Sequence, residues 1–523
     1  MGALQHGARA PKPWPMLSEY NIAPPAPCPS PFNLAAHVLG AARHNPDKTA
    51  LSVLGSVDSQ HWSYAQLEAA VRGTGTGLLQ AGLKPGDCVL MRLGNTVEFP
   101  IAYLGAIAVG LIPVPTSSQL TTTEVQTIID TLKPAAILLA DGVACPETSL
   151  PVLDDPALHE MRALPPADWD MGDPNRAAYI IYTSGTSGKS RAVVHAHRAI
   201  WARQMMMQGW YGLSHEDRLC HAGAFNWTYT LGTGLMDPWT IGATALIPAP
   251  EITPDQLPLL LKKFDATIFA AAPGVYRKIM SSGPLPDLPK LRHGLSAGEK
   301  LSETLHHAWV TATGSDIFEA YGMSECSTFV SGSPDHPVPA GILGRPQTGR
   351  RVAILGADGP VPLNTEGTIA IHRSDPGLML EYLGAPEDTA AKFQGEWFVT
   401  GDQGCMDGEG HISYLGRVDD MMNAGGYRVS PLEVEAVMNT LPGITACAAT
   451  DIEVKQDARL IMAFYTGPAP LDDTELAAHA DVHLARYKCP RGFFHIDALP
   501  TGANGKILRR ALHPIYEALY GAT

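Results

Sequence analysis

The chain has 523 residues, more than a single hydrophobic core holds, so two or more domains are expected. A hydrophobic share of 45% with 17% charged residues fits a soluble globular protein. The formal net charge of −15 argues against the basic surface that nucleic acids and anionic membranes require, yet permits nucleotide ligands, because a pocket sets its own field with loop amides and a few cations.

Residues 1–32 are rich in proline with little periodicity, and an extended N-terminal arm is expected there. Pro11, Pro13 and Pro15 interrupt any apolar stretch that a secretory signal needs, and His6 stands where a myristoylation signal wants Ser or Thr. From 33 to 416, short β-rich apolar runs at 88–91, 135–139, 178–182, 243–247, 267–271 and 317–321 alternate with helical segments such as 122–131 and 196–207. That alternation predicts an α/β fold, a large domain of layered, mostly parallel sheets flanked by helices. The longest apolar run, 101–115, falls short of the roughly 20 residues of a membrane helix and ends in Pro113-Val114-Pro115, so a buried helix feeding a short strand is expected. From Arg417 the pattern changes. Pro431 opens a helix with Val434, Val437, Met438 and Leu441 on one face, followed by a strand at 460–465 and a helix at 471–484, which predicts a small mobile α+β domain over 417–523. The eight cysteines are scattered without a CxxC pair, which speaks against zinc knuckles and a disulfide framework and for reduced thiols in the cytoplasm.

The most informative stretch is Tyr182-Thr183-Ser184-Gly185-Thr186-Ser187-Gly188-Lys189-Ser190-Arg191, which follows the run 178–182 directly. Glycines let the backbone turn its amides inward, hydroxyls add donors, and Lys189 adds a mobile cation, so the loop is suited to cradle polyphosphate. Two look-alikes are set aside. Gly188-Lys189-Ser190 mimics the end of a Walker A loop, but Thr183 stands where that motif needs glycine. Gly73-Thr74-Gly75-Thr76-Gly77 imitates a dinucleotide fingerprint with a misplaced third glycine and no strand before it, and a close-packed helix face is expected instead. His195 and His197 have no acidic or thiol ligand near them in the chain and are expected to be structural.

The loop resembles the phosphate-binding signature of the adenylate-forming superfamily of acyl-CoA synthetases, adenylation domains and luciferases. Further strings match in the right order: Ser296-Ala297-Gly298-Glu299, Glu319-Ala320-Tyr321-Gly322-Met323-Ser324-Glu325, Thr400-Gly401-Asp402, Tyr414-Leu415-Gly416-Arg417-Val418-Asp419-Asp420 with Gly425-Gly426-Tyr427-Arg428, and Pro500-Thr501-Gly502-Ala503-Asn504-Gly505-Lys506. The likeness spans about residues 35 to 515. It departs at Ser190-Arg191-Ala192, where relatives have Pro-Lys-Gly, and at Asn226, where many carry histidine.

The resemblance implies a nucleotide site and a sequence of two steps. Thr183, Ser184, Gly185, Thr186, Ser187, Gly188 and Lys189 would hold the phosphates; Ala297, Gly298, Glu299, Glu319, Ala320, Tyr321, Gly322, Met323 and Ser324 would line the adenine and α-phosphate; Glu325 would bind Mg2+. Asp402 would accept from the ribose hydroxyls, with Arg417 on the other side of the nucleotide. Lys506, Glu325 and Lys189 are the expected catalytic residues, offsetting the repulsion between a carboxylate and ATP. The small domain would then turn about Asp419, so that Gly425, Gly426, Tyr427 and Arg428 line a tunnel for coenzyme A.

The acid is expected against 225–234, Ala297 and 323–328, with Asn226, Trp227, Tyr229, Ala297 and Met323 as walls. Between 221 and 235 there is no Lys or Arg, and a buried second carboxylate needs a cation, so a neutral monocarboxylate is expected, aromatic, alicyclic or of short to medium chain. The expectation is therefore an AMP-forming carboxylate–CoA ligase using ATP, Mg2+ and coenzyme A, with no nucleic-acid or membrane partner; a homodimer is left open. Two other readings stand beside it: an adenylation enzyme that loads a carrier-protein phosphopantetheine, and a catalytically silent nucleotide-binding protein.

Overall fold

The computed structural model describes residues 16–21, 26–183, 191–339, 341–417, 420–424, 427–455, 458–484, 486, 488–502 and 506–520. Ser184 to Ser190, Asp419, Gly425 and Gly426 lie outside the described residues, as do the side chains of Tyr427 and Arg428.

All the apolar runs but 178–182 become inner strands of two sheets. In the larger, Ile317–Met323, His293–Ala297, Ile268–Ala271, Arg218–Ala222, Thr244–Pro248 and Thr49–Leu54 lie side by side and parallel, flanked by antiparallel Ser59–Ser63 on one side and by Ser327–Ser331 and the short edge Arg345–Pro346 on the other. In the other, Ile112–Pro115, Cys88–Arg92, Ala136–Leu139 and Val152–Asp154 are all parallel. Strands covered by helices on both faces read as near-continuous apolar runs. The run 101–115 is the buried helix Glu98–Ala108 followed by the strand Ile112–Pro115.

Two further sheets are antiparallel. Ala177–Thr183 pairs with Arg191–Ala196, which carries the short strand Glu381–Tyr382 on its other edge. A seven-stranded sheet joins Glu19–Asn21, Arg351–Gly356, Glu366–His372, Trp397–Met406 and Ile412–Arg417 with two two-residue strands. Its strand Trp397–Met406 alternates buried and half-buried residues along its length, the period-2 pattern of a sheet with one covered face. The mostly parallel expectation thus describes the two core sheets and not this one. Within the segment expected as an arm, Glu19–Asn21 is the edge strand of that sheet.

The helix expected at 196–207 is broken: the strand runs to Ala196, short helices span Arg198–Ala202 and Gln204–Met206, and a π-helical turn covers Met207–Tyr211. The glycine run of the false fingerprint lies inside the helix Tyr64–Gln80, capped by Ser63 and Gln66. A Cβ on Gly73 would stand 2.8 Å from the carbonyl oxygens of Arg162 and Leu164, so these glycines mark a close packing face. His197 Nδ1 accepts from the Leu34 amide at 3.0 Å, and burial pushes its imidazole down to about 3, so it is a neutral core residue.

C-terminal to Arg417, the helix Pro431–Met438 packs on Ala446–Lys455, which pairs with Ala458–Thr466, itself parallel to Gly492–His495. Val434, Met438 and Leu441 join a core of their own with Met422, Val429, Ile461 and Leu476. Among the described residues no helix is long and apolar enough to cross a membrane.

Candidate active site

At the C-terminal edge of the large sheet, the end of Ile317–Met323 meets the strand Trp397–Met406 of the seven-stranded sheet. The strand Ile317–Met323 carries Tyr321, and its partner Ser327–Ser331 shifts register between Tyr321 and Gly322. A Cβ on Gly322 would lie 2.1 Å from the Ser327 carbonyl oxygen, so only glycine fits this irregularity. The bulge sends Tyr321 toward Trp397–Met406, where its hydroxyl donates to Asp402 Oδ2 at 2.5 Å. Asp402 is only 5% exposed, directly opposite Arg417 in the ladder; Arg417 Nη1 lies 3.3 Å from Asp402 Oδ1, and the Tyr414 hydroxyl donates to the same oxygen at 3.4 Å. Burial pushes the Asp402 carboxyl above the usual carboxylate range, opposed by Arg417, the Tyr321 hydroxyl and Lys506.

Lys506 belongs to the small domain, yet its charge bears on both Asp402 and Glu299. Its side chain is exposed rather than packed in a core. Glu299 follows Gly298, which has φ +96°, at the end of the strand His293–Ala297; burial raises its carboxyl while Lys506 and Arg277 lower it. Glu319 accepts from the Leu301 amide at 3.0 Å, and burial raises its carboxyl to about 7. Ala297 and Ala320 are buried beneath this edge.

Glu325 follows the turn after Met323. Its Oε1 accepts from the Tyr382 hydroxyl at 2.6 Å, and its carbonyl accepts from the Met379 amide at 2.7 Å. Tyr382 sits on the short strand beside Arg191–Ala196, which continues from the phosphate-loop candidate. Arg191, the cation that replaces lysine in the loop's continuation, pairs with Asp388 at 2.6 Å. Thr183 ends the strand before the loop, its hydroxyl 3.4 Å from the Arg191 carbonyl. Lys189 and the other loop residues, Asp419, Gly425 and Gly426 fall outside the described residues, and Tyr427 and Arg428 are placed by backbone alone in the hairpin with Met422–Ala424.

The stretch expected to hold the acid is pinned from the helix side: Asn95 Nδ2 donates to the Gly223 carbonyl and Asn95 Oδ1 accepts from the Phe225 amide. Asn226 and Trp227 are half-buried there, and Met323 packs against the main core. Tyr229 is half-buried as well; its ring stacks on Trp210 at 5.8 Å and its hydroxyl donates to the Leu295 carbonyl at 3.1 Å. A cavity of about 20 Å³ is bounded by Thr228 and Leu231, by Ser324 and Ser327, and by Tyr103, His195 and Arg203. Arg203 lies outside the window searched for cations, but Asp237 holds it at 2.6 and 2.8 Å, with Tyr211 and Ser327 sharing its remaining N–H groups. The buried guanidinium is therefore balanced within the protein.

Tyr382, Tyr414, Tyr103 and Arg203 were not named as site residues from sequence. Tyr414 alone had a signal, standing three residues before Arg417 in a matched string.

A profile of the AMP-binding enzyme family matches residues 39–383, and that of the AMP-binding enzyme C-terminal domain matches 433–506. The chain is 29% identical to a benzoate–CoA ligase of Thauera aromatica over 86% of its own length and 90% of the relative's. It is 28% identical to a 3-hydroxybenzoate–CoA ligase of Aromatoleum sp. (strain CIB), over 87% of this chain and 92% of that one. Its fold superposes on a benzoate CoA ligase from Burkholderia xenovorans LB400 with a TM-score of 0.80 at 27% identity, covering 92% of this chain and 100% of the other. With two thirds of its length under one family profile and the cleft between its domains built around Tyr321, Asp402, Arg417 and Lys506, the chain belongs to the AMP-binding enzyme family.

Proposed function

We propose that the chain is an AMP-forming carboxylate–CoA ligase. It joins a neutral monocarboxylic acid, aromatic, alicyclic or of short to medium chain, to ATP as an acyl-adenylate, then passes the acyl group to coenzyme A and releases AMP. The observation that carries this reading is the convergence on buried Asp402 of the Tyr321 hydroxyl, Arg417 and, from the small domain, the charge of Lys506. The named activities of the relatives, benzoate and 3-hydroxybenzoate ligation to coenzyme A, agree with it.

A carboxylate resists nucleophiles, and joining it to AMP supplies a leaving group at the cost of bringing two anions together. In this reading Asp402 accepts from the ribose hydroxyls and Arg417 holds the sugar's other side. Ala297, Gly298 and Glu299 border the base with Glu319, Ala320 and Tyr321. Lys506 faces the forming bond, and the loop from Thr183 to Lys189 carries the phosphates, each offsetting charge where it builds. Glu325 offers one carboxylate oxygen beyond the one held by Tyr382, a donor set that suits Mg2+, which completes its shell with phosphates and water. A bound magnesium ion supplies charge neutralisation between phosphates. With Arg203 matched by Asp237, the pocket offers no spare cation from that side chain, in keeping with a neutral acid.

The proposed units are an arm over 1–32, a nucleotide- and acid-binding domain over 33–416 and a small domain over 417–523. The small domain turns at Asp419 to exchange Lys506 for Gly425, Gly426, Tyr427 and Arg428 as coenzyme A enters. Free cysteine thiols throughout are consistent with a cytoplasmic setting. Acid-dependent pyrophosphate exchange across a carboxylate library, followed by thioester formation with coenzyme A or a carrier protein, tests the reading. ATP binding without exchange for any acid would leave a silent nucleotide-binding protein; turnover of malonate or succinate as well as benzoate would sink the neutral pocket.

A further inference from the structure

We infer that the acid pocket ends in a hydroxyl-binding site built from Tyr103 and His195, and that the acid activated here carries a hydroxyl group on its hydrocarbon part. This inference rests on the ligase reading and adds the substrate's chemistry to it.

The cavity of about 20 Å³ lies between the two stretches assigned to the acid, touching Thr228 and Leu231 on one and Ser324 and Ser327 on the other. That volume holds one water-sized oxygen and little else. Tyr103 and His195 both border it, at 0% and 2% exposure. The Tyr103 hydroxyl has no hydrogen-bond partner, and neither has His195 Nδ1. Buried polar atoms are nearly always paired, and one left unpaired costs about 1–3 kcal/mol, so two on residues that border one cavity point to an occupant.

The donor pattern selects its chemistry. His195 Nε2 lies 2.7 Å from the Ser324 carbonyl, which can only accept, so the ring proton is on Nε2 and Nδ1 presents a lone pair. Burial, the largest influence, pushes this imidazole down to about 4, so it remains neutral at pH 7. The ring is also fixed by stacking on Tyr179 at 4.8 Å. Tyr103 can donate. The missing group must therefore accept from Tyr103 and donate to His195, and a hydroxyl does both with one oxygen. A carboxylate has no proton to give Nδ1, and a methyl satisfies neither atom. Arg203 does not alter the choice, because Asp237 takes its charge. Leu231, Met236 and Ile181 supply apolar wall beside the polar end, as a hydroxylated hydrocarbon needs.

The test compares benzoate with its three monohydroxy isomers on the full chain and on two variants. Tyr103→Phe removes one oxygen and keeps the ring; His195→Gln keeps a donor toward Ser324 and removes the Nδ1 acceptor. At least one hydroxy isomer should exceed benzoate in kcat/KM for adenylate formation. Each variant should cut that preference by about tenfold or more while changing benzoate itself much less. Calorimetric titration of the same acids with an ATP analogue reads the preference without turnover. No turnover with the binding preference intact and variant-sensitive sinks the ligase reading and keeps the hydroxyl site. Turnover with a preference that neither variant alters, or equal losses for benzoate and its hydroxy isomers, overturns the site and assigns the cavity to a structural water.

Discussion

Asp402 has four charged or hydroxyl partners in the cleft, and its contribution can be sized. Replacing it with alanine leaves two ribose hydroxyls without an acceptor and frees Arg417 from its ion pair. Hydrogen bonds to a charged group contribute about 1.5–3 kcal/mol, so the KM for ATP of Asp402→Ala should rise at least about tenfold, read by pyrophosphate exchange against ATP concentration. An unchanged ATP dependence would remove Asp402 from the nucleotide site. Residues of this kind were legible in the sequence because a short string with glycine, hydroxyl and acid in fixed order surrounds each: Thr400-Gly401-Asp402 and Tyr321-Gly322 are examples. Tyr382 was not legible, since it meets Glu325 across 57 residues of chain and sits in a two-residue strand without any motif. Tyr103 and His195 share that difficulty. Nothing along the chain ties a tyrosine in the helix Glu98–Ala108 to a histidine in the strand Arg191–Ala196 until two sheets are stacked.

The helix Tyr64–Gln80 offers a test in which two opposing effects have similar size. Alanine exceeds glycine in helix propensity by up to about 1 kcal/mol. A Cβ at Gly73, however, meets three backbone carbonyls at 2.8 to 3.0 Å, which a side-chain rotation cannot relieve. Overpacking of that sort costs about 1–3 kcal/mol, so Gly73→Ala should lower the denaturant midpoint. Gly274, in the helix Pro273–Ser281 with open space where a Cβ would go, is the control: Gly274→Ala should leave the midpoint unchanged or raise it slightly. If both variants behave alike, the close approach at Gly73 is not what selects glycine. Elements were readable in proportion to how apolar their residues are. Cys88–Arg92, Ala136–Leu139, Thr244–Pro248 and Ile268–Ala271 announced themselves as apolar runs, whereas Thr49–Leu54, Arg218–Ala222 and His293–Ala297, which carry polar residues, did not, and Trp397–Met406, alternating buried with half-buried residues, also escaped notice. The helix expected at 196–207 failed for another reason: Arg203 turns inward to Asp237, a polar residue on what a periodic pattern counts as the outer face.

At the scale of the whole molecule, the charge of Lys506 acts on Asp402 and Glu299, as adenylate formation in the proposed reaction needs. Lys506→Ala should depress acyl-adenylate formation by about a hundredfold, comparable to removing one electrostatic donor from a preorganised site. Synthetic acyl-adenylate supplied with coenzyme A should still yield thioester at a near-normal rate if, as proposed, the second step uses the other face of the small domain. Loss of both steps together would mean one fixed arrangement and would overturn alternation. The two-domain division was visible as a change of pattern at Arg417, yet Arg417 itself ends a strand of the large antiparallel sheet, paired with Asp402. Pattern shifts locate a linker to within a few residues, because the last strand before it still obeys the period of the sheet that it completes.

The pairing of Glu19–Asn21 with Arg351–Ala353 has a consequence for synthesis of the protein. A ribosome adds about 5–20 residues per second, so the early strand emerges on the order of half a minute before its partner exists. Throughout that interval its amides and carbonyls are an open template for any other nascent chain nearby. Leu17, half exposed even in the finished fold, and Met16 beside it add apolar surface to that template. Stalled nascent chains that stop short of residue 351 should be nicked readily by protease near residue 21, and chains extended well past 371, where Glu366–His372 completes the neighbouring ladder, should resist. The time of greatest vulnerability for this enzyme is thus set by the spacing of two strands along the message rather than by the stability of the folded state.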